Sequence, residues 1–96
     1  MPSFRLSPKA VSDMQNIWDY TLETWDKDQA KSYVRLLNQS FADLAENPHL
    51  GPSCEYVREG YRKHLAGRHV LYYRIVDAGV FVIRILHSSM DVDRHL

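Results

Sequence analysis

The chain has one cysteine, Cys54, no net charge, and no apolar run longer than a few residues. One cysteine excludes an internal disulfide and a zinc site of paired thiolates, and it fits a reducing compartment. Twelve Lys plus Arg balance twelve Asp plus Glu. A chain that grips RNA or DNA by its phosphates normally carries a basic excess, so nucleic acid is disfavoured as the main partner. Runs such as 80–83 are far too short to span a bilayer, and "MPSFRLSPKA" lacks a signal-peptide core, which points to the cytoplasm. Ninety-six residues bury too little surface for two cores, so one domain over residues 1–96 is expected. No GxSxG, P-loop, GxGxxG, CxxC or HExxH occurs, and no cofactor is called for.

Periodicity supplies the elements. "SFRL" alternates and reads as a short strand; Ser7 and Pro8 then have the form of a helix cap and first turn. Ala10, Val11, Met14, Ile17, Trp18, Thr21, Leu22 and Trp25 fall three and four apart, predicting one broad buried face on a helix ending near Trp25. "DKDQ" has the form of a capping box, Asp26 to Gln29. It opens a second helix with Ala30, Val34, Leu37, Phe41 and Leu44 inward, stopped at "ENPHLGP". The short connection predicts a helical hairpin.

Three strands follow, "GYRKHLA", "HVLYYRIV" and "VFVIRILH", with turns at Gly67–Arg68 and at "DAG". A three-residue DAG loop pairs Val76 with Val80 and His69 with His87. One sheet face then holds Ile75, Phe81, Tyr73, Ile83, Leu71 and Ile85 under the helices. The other is a mixed face with Tyr72, Arg74, Val82 and Arg84. The expected class is α+β, in the order βααβββ, with the helical hairpin on an antiparallel sheet.

Three constellations remain open to more than one reading. His69 opposite His87 can serve a metal or a proton transfer, or be a half-buried pair at the sheet margin. Arg58, Arg62, Lys63 and His64 are the most basic stretch, suited to a phosphate or an acidic partner, or to a solvated edge strand. The mixed face suits an amphipathic acidic segment, or is simply the wet side of a sheet.

"LAENPHLGP", "REGYR", "YYR" and the terminal "RILHSSMDVDRHL", in that order along nearly the whole chain, closely resemble ParE toxins of the bacterial RelE/ParE toxin–antitoxin superfamily. Asp26 and Pro52 depart from the family's usual Gly and Arg, both in connections. The resemblance implies a βααβββ fold, neutralisation by a ParD-like antitoxin in a hetero-oligomer, and DNA gyrase as target, poisoned by binding without catalysis. The RelE branch implies the alternative, a ribosome-dependent mRNA endonuclease, with His87 near its catalytic position. On the ParE reading, the antitoxin-binding candidates are Arg58, Arg62, Tyr72, Arg74, Val82 and Arg84. The target-binding candidates lie in the terminal segment: His87, Met90, Asp91, Arg94 and His95. The strand register sets Arg84 and His87 on opposite faces, poor geometry for one catalytic site. No catalytic residue, metal, cofactor, direct nucleic-acid contact or membrane contact is expected.

Overall fold

The computed structural model describes residues 3–90 and 92–96. Along them run β1 (Ser3–Leu6), α1 (Pro8–Thr24), α2 (Lys27–Glu46), β2 (Tyr61–Ala66), β3 (His69–Val76), β4 (Gly79–His87) and a single turn, α3 (Val92–His95). The expected βααβββ order holds, with α3 added inside the segment read as a polar tail. Ser7 caps α1, its Oγ accepting the Ala10 N–H at 3.0 Å while donating to the Ile83 carbonyl at 2.6 Å. Asp26 caps α2 by accepting the Gln29 N–H at 2.7 Å. No helix is long and apolar enough to cross a membrane among the described residues.

The four-stranded sheet has the order β1-β4-β3-β2. It is mixed, not wholly antiparallel as expected: β2, β3 and β4 form antiparallel pairs, but β1 pairs parallel with β4, from Ser3 opposite Gly79 to Leu6 opposite Val82. A parallel neighbour requires a long crossover, and everything between β1 and β4 supplies one. The β2–β3 turn uses two residues, with Gly67 at φ +60 in its first place, as a type II′ turn demands.

Between β3 and β4 the register corrects the expectation. Pairs from His69–His87 to Tyr72–Arg84 are as predicted, but the ladder then shifts to Tyr73–Val82, Arg74–Phe81, Ile75–Val80 and Val76–Gly79. The turn therefore has two residues, Asp77 and Ala78, and Ile83 is the extra residue of a bulge. The cause is burial. Strict alternation cannot turn Val80, Val82 and Ile85 to one side, whereas one inserted residue can. All three pack with Leu71 and Tyr73 beneath Ile17 of α1 and Leu37, Phe41 and Leu44 of α2. Phe81 moves to the far face, where the Arg5 guanidinium lies 5.6 Å from its ring centre.

Two further expectations change. Val11, Leu22 and Trp25, assigned to the buried face of α1, are exposed; Ala10, Ile17 and Thr21 alone are fully enclosed. The mixed sheet face is not open where Tyr72 stands. Cys54, Tyr72 and Leu86 form a second buried layer, covered by Val57 and Tyr61 on one side and by Val92 and Leu96 of the C-terminal segment on the other. The connection 47–60 is strapped to the sheet. Tyr73 donates its hydroxyl to the Pro48 carbonyl at 2.7 Å and accepts the Gly51 N–H at 3.0 Å, and Arg62 Nε donates to the Gly51 carbonyl at 2.7 Å.

Candidate partner-binding cleft

β1 is four residues long and β4 nine, so the C-terminal half of β4, paired with β3 on one edge, has no strand on the edge that β1 occupies lower down. α1 and α2 both border the space beside this uncovered edge. The space between is an open cleft of about 880 Å³, walled by both helices, Arg68 and His69, residues 84–87 and part of the C-terminal segment. Its upper wall is apolar and wet. Tyr20 is 67% exposed, Trp25 49%, Leu36 44% and Met90 48%, and all four line the cleft. Such a cluster of large apolar side chains in one concavity makes this cleft the candidate binding surface.

The floor is polar and ordered. Asp13, on α1, accepts Arg84 Nε at 2.8 Å and Nη2 at 2.9 Å, and its Oδ2 also accepts the Ile85 N–H at 2.9 Å. The carboxylate thus stands where the next residues of β1 would have paired. A bidentate guanidinium–carboxylate pair is directional as well as strong. Asp13 pushes the Arg84 pKa upward, so the arginine stays charged. Beside it the Arg68 N–H donates to Tyr33 Oη at 3.0 Å, and Tyr33 Oη and His69 Nδ1 share a hydrogen bond of 2.5 Å. The His87 ring meets it edge-on, with centres 5.4 Å apart, and His87 Nδ1 accepts the Ser89 N–H at 3.1 Å.

Burial, chiefly, and the neighbouring His87 push the His69 pKa below its ordinary 6.5, against a smaller upward pull from Asp13. The fold favours neutral His69. As pH falls below about 6.5 the unfolded chain takes the proton first, so this contribution is complete above that pH and is lost as pH falls through the lower folded value. Denaturation midpoints measured from pH 8 to 5 should show this acid-side loss, and His69→Asn should flatten it.

Residues 4–92 match the family model described as "ParE toxin of type II toxin-antitoxin system, parDE". The chain belongs to the ParE toxin family. It is 45% identical to Toxin ParE1 of Mycobacterium tuberculosis over 94 residues, covering 97% of this chain and 96% of the relative. It is 41% identical to Toxin ParE1 of Caulobacter vibrioides over 96 residues, covering 100% and 99%. Among solved structures, the chromosomal ParDE TA system from P. aeruginosa superposes with a TM-score of 0.77 at 18% identity, covering 91% of this chain and 96% of that one. At that identity the likeness speaks for the fold.

In this ParE-family chain the residues singled out from sequence disperse. Arg84, His87, Met90 and His95 line the cleft. Arg84 and His87, expected on opposite faces, share it, because the Arg84 side chain curls around the uncovered β4 edge to reach Asp13. Val82, expected on an open face, is fully buried beneath the helices, since the bulge turns it inward. Tyr72 is 8% exposed, under the second layer. Arg62 and Arg74 border a separate hollow with Ile75, and Arg58 is exposed on the connection. Arg94 is exposed outside the cleft, and Asp91 lies outside the described residues. Asp13, Tyr20, Trp25, Tyr33, Leu36 and Arg68 were not anticipated as site residues. One signal was available: the apolar stripe of α1 is too wide for a single contact, so part of it had to face something else. Among the described residues, no group of three His, Cys, Asp or Glu is placed to hold a metal.

Proposed function

We propose that this ParE-family toxin works in the cytoplasm by poisoning DNA gyrase through binding, and that a ParD-type antitoxin silences it by laying an amphipathic segment in the cleft. The carrying observation is the exposed apolar wall of Tyr20, Trp25, Leu36 and Met90 above a polar floor. It suits the apolar stripe of a partner helix, with acidic residues toward Arg68. The family is described by the parDE system, and the P. aeruginosa structure is of a ParDE system, which supports a ParD-type partner. Gyrase as target rests on the family resemblance. The terminal segment remains the proposed contact, through His87, Met90, Arg94 and His95.

A nuclease of the RelE kind is the second reading, favoured by the meeting of Arg68, His69, Arg84 and His87 in one cleft. The electrostatics favour it less. Arg84 is neutralised by Asp13, the facing wall is apolar, and the chain has no net positive charge to hold RNA phosphates. Expression of the chain alone in bacteria separates the readings. Filamentous cells with an induced DNA-damage response are expected, whereas immediate arrest of translation with intact DNA would favour RNA cleavage.

A further inference from the structure

The C-terminal segment has two working sides. Ser89, Met90 and His95 form part of the cleft wall, while Val92 and Leu96 pack across the sheet on the Cys54, Tyr72 and Leu86 layer. One guanidinium joins the two sides. Arg84 uses Nε and Nη2 for the Asp13 carboxylate and Nη1 for the His95 carbonyl, the latter at 2.6 Å. Asp13 is itself fixed, because its Oδ2 also holds the Ile85 N–H at the β4 edge. We infer that Arg84 is a positioning residue: held by Asp13, it seats the C-terminal segment as a wall of the cleft, so that filling the cleft and seating this segment are one equilibrium.

The segment cannot hold itself in place. α3 spans four residues, and the bond from the Leu96 N–H to the Val92 carbonyl, 3.1 Å long, closes one turn. A helix that short has no stability of its own in water. Its position depends on Arg84 at one end and on the contacts of Val92 and Leu96 with the second layer. A molecule in the cleft that touches Met90 or His95 finds those groups in place only when the segment is seated. By linkage it favours seating by the same factor that seating favours the molecule. A bound partner therefore holds the terminal segment more tightly than Arg84 and the second layer hold it alone. The coupling goes beyond the reading of the cleft as an antitoxin seat and does not depend on it, because it belongs to the free chain.

Cys54 is a built-in reporter. It is the sole thiol, fully buried in the layer that Val92 and Leu96 help to cover. Its reaction with 5,5′-dithiobis(2-nitrobenzoate) should accelerate when the segment lifts. Asp13→Asn removes the charge that holds Arg84, and Arg84→Lys keeps a charge for Asp13 but has no fork to hold His95 as well. Each is expected to raise the Cys54 labelling rate and the rate of Leu96 removal by carboxypeptidase about tenfold, the scale set by one lost charge-assisted hydrogen bond. Hydrogen-exchange protection of the β2–β3 ladder should stay at the parental level, which separates a lifted segment from a loosened fold. Parental labelling and digestion rates in a folded variant would overturn the inference. So would a loss of ladder protection that tracks Cys54 exposure in both variants. If Asp13→Asn fails to fold, Arg84→Lys decides alone.

Discussion

Gly79→Ala should destabilise the fold by about 3 kcal/mol or more, among the largest effects of any single methyl added to this chain. Gly79 has φ +153, a backbone region that L side chains rarely adopt, and a Cβ there would overlap the Ser3 backbone, its carbonyl oxygen above all. The Ser3 N–H also donates to the Ala78 carbonyl at 2.8 Å, so the two strands cannot separate there without breaking the parallel pairing of β1. Loss of β1 would uncover the core, because Phe4 and Leu6 pack against it and the Phe4 ring lies 5.4 Å from that of Phe41. Urea denaturation of the variant checks this. A midpoint lowered only by the few tenths of a kcal/mol typical of an ordinary surface site would mean that β1 does not press on Gly79.

Trp25→Ala should weaken binding of the cognate antitoxin by about 30-fold, corresponding to a loss of roughly 2 kcal/mol, the scale of an aromatic anchor at an interface. Trp25 is half-exposed at the end of α1 and lines the cleft, so its large ring has surface left to bury against a partner. The fold should tolerate the change, since the helix-end bond from the Trp25 N–H to the Thr21 carbonyl is made by backbone. Titration of the purified toxin with its antitoxin gives the number. Unchanged affinity, with the Tyr20 and Leu36 alanine variants equally silent, would move the antitoxin off this cleft.

Legibility in the sequence followed the range of the interaction. Caps and turns are set by neighbours a few residues away, and Ser7, Asp26 and Gly67 all act as their chemistry requires. The pairing of His69 with His87 was likewise readable from alternation. The bulge at Ile83 was not, because both faces of β4 are apolar and either register buries a plausible set. What selects one is the helical hairpin, which takes Val80, Val82 and Ile85 together. The direction of β1 was hidden for a similar reason, since its partner lies more than seventy residues along the chain.

The cleft was the least legible feature. It exists because β1 stops at Leu6 while β4 continues to His87, and because beyond Ser7 the edge is met by a side chain, Asp13 on the Ile85 N–H. No motif records a difference in strand length. The exposed members of the α1 stripe and the basic and histidine residues near 68, 69, 84 and 87 were visible one by one. Their convergence comes from the fold. The arginines read as one antitoxin surface separate for the same reason, with Arg84 locked to Asp13 and Arg62 bound to the connection.

The proposed poisoning of gyrase by binding is tested most directly on the purified toxin. Purified protein, free of antitoxin, should be added to gyrase, supercoiled plasmid and ATP, and in parallel to a translation extract. Accumulation of linear, protein-linked plasmid with intact mRNA is the predicted result. Cleaved mRNA with gyrase turnover unaffected would contradict it.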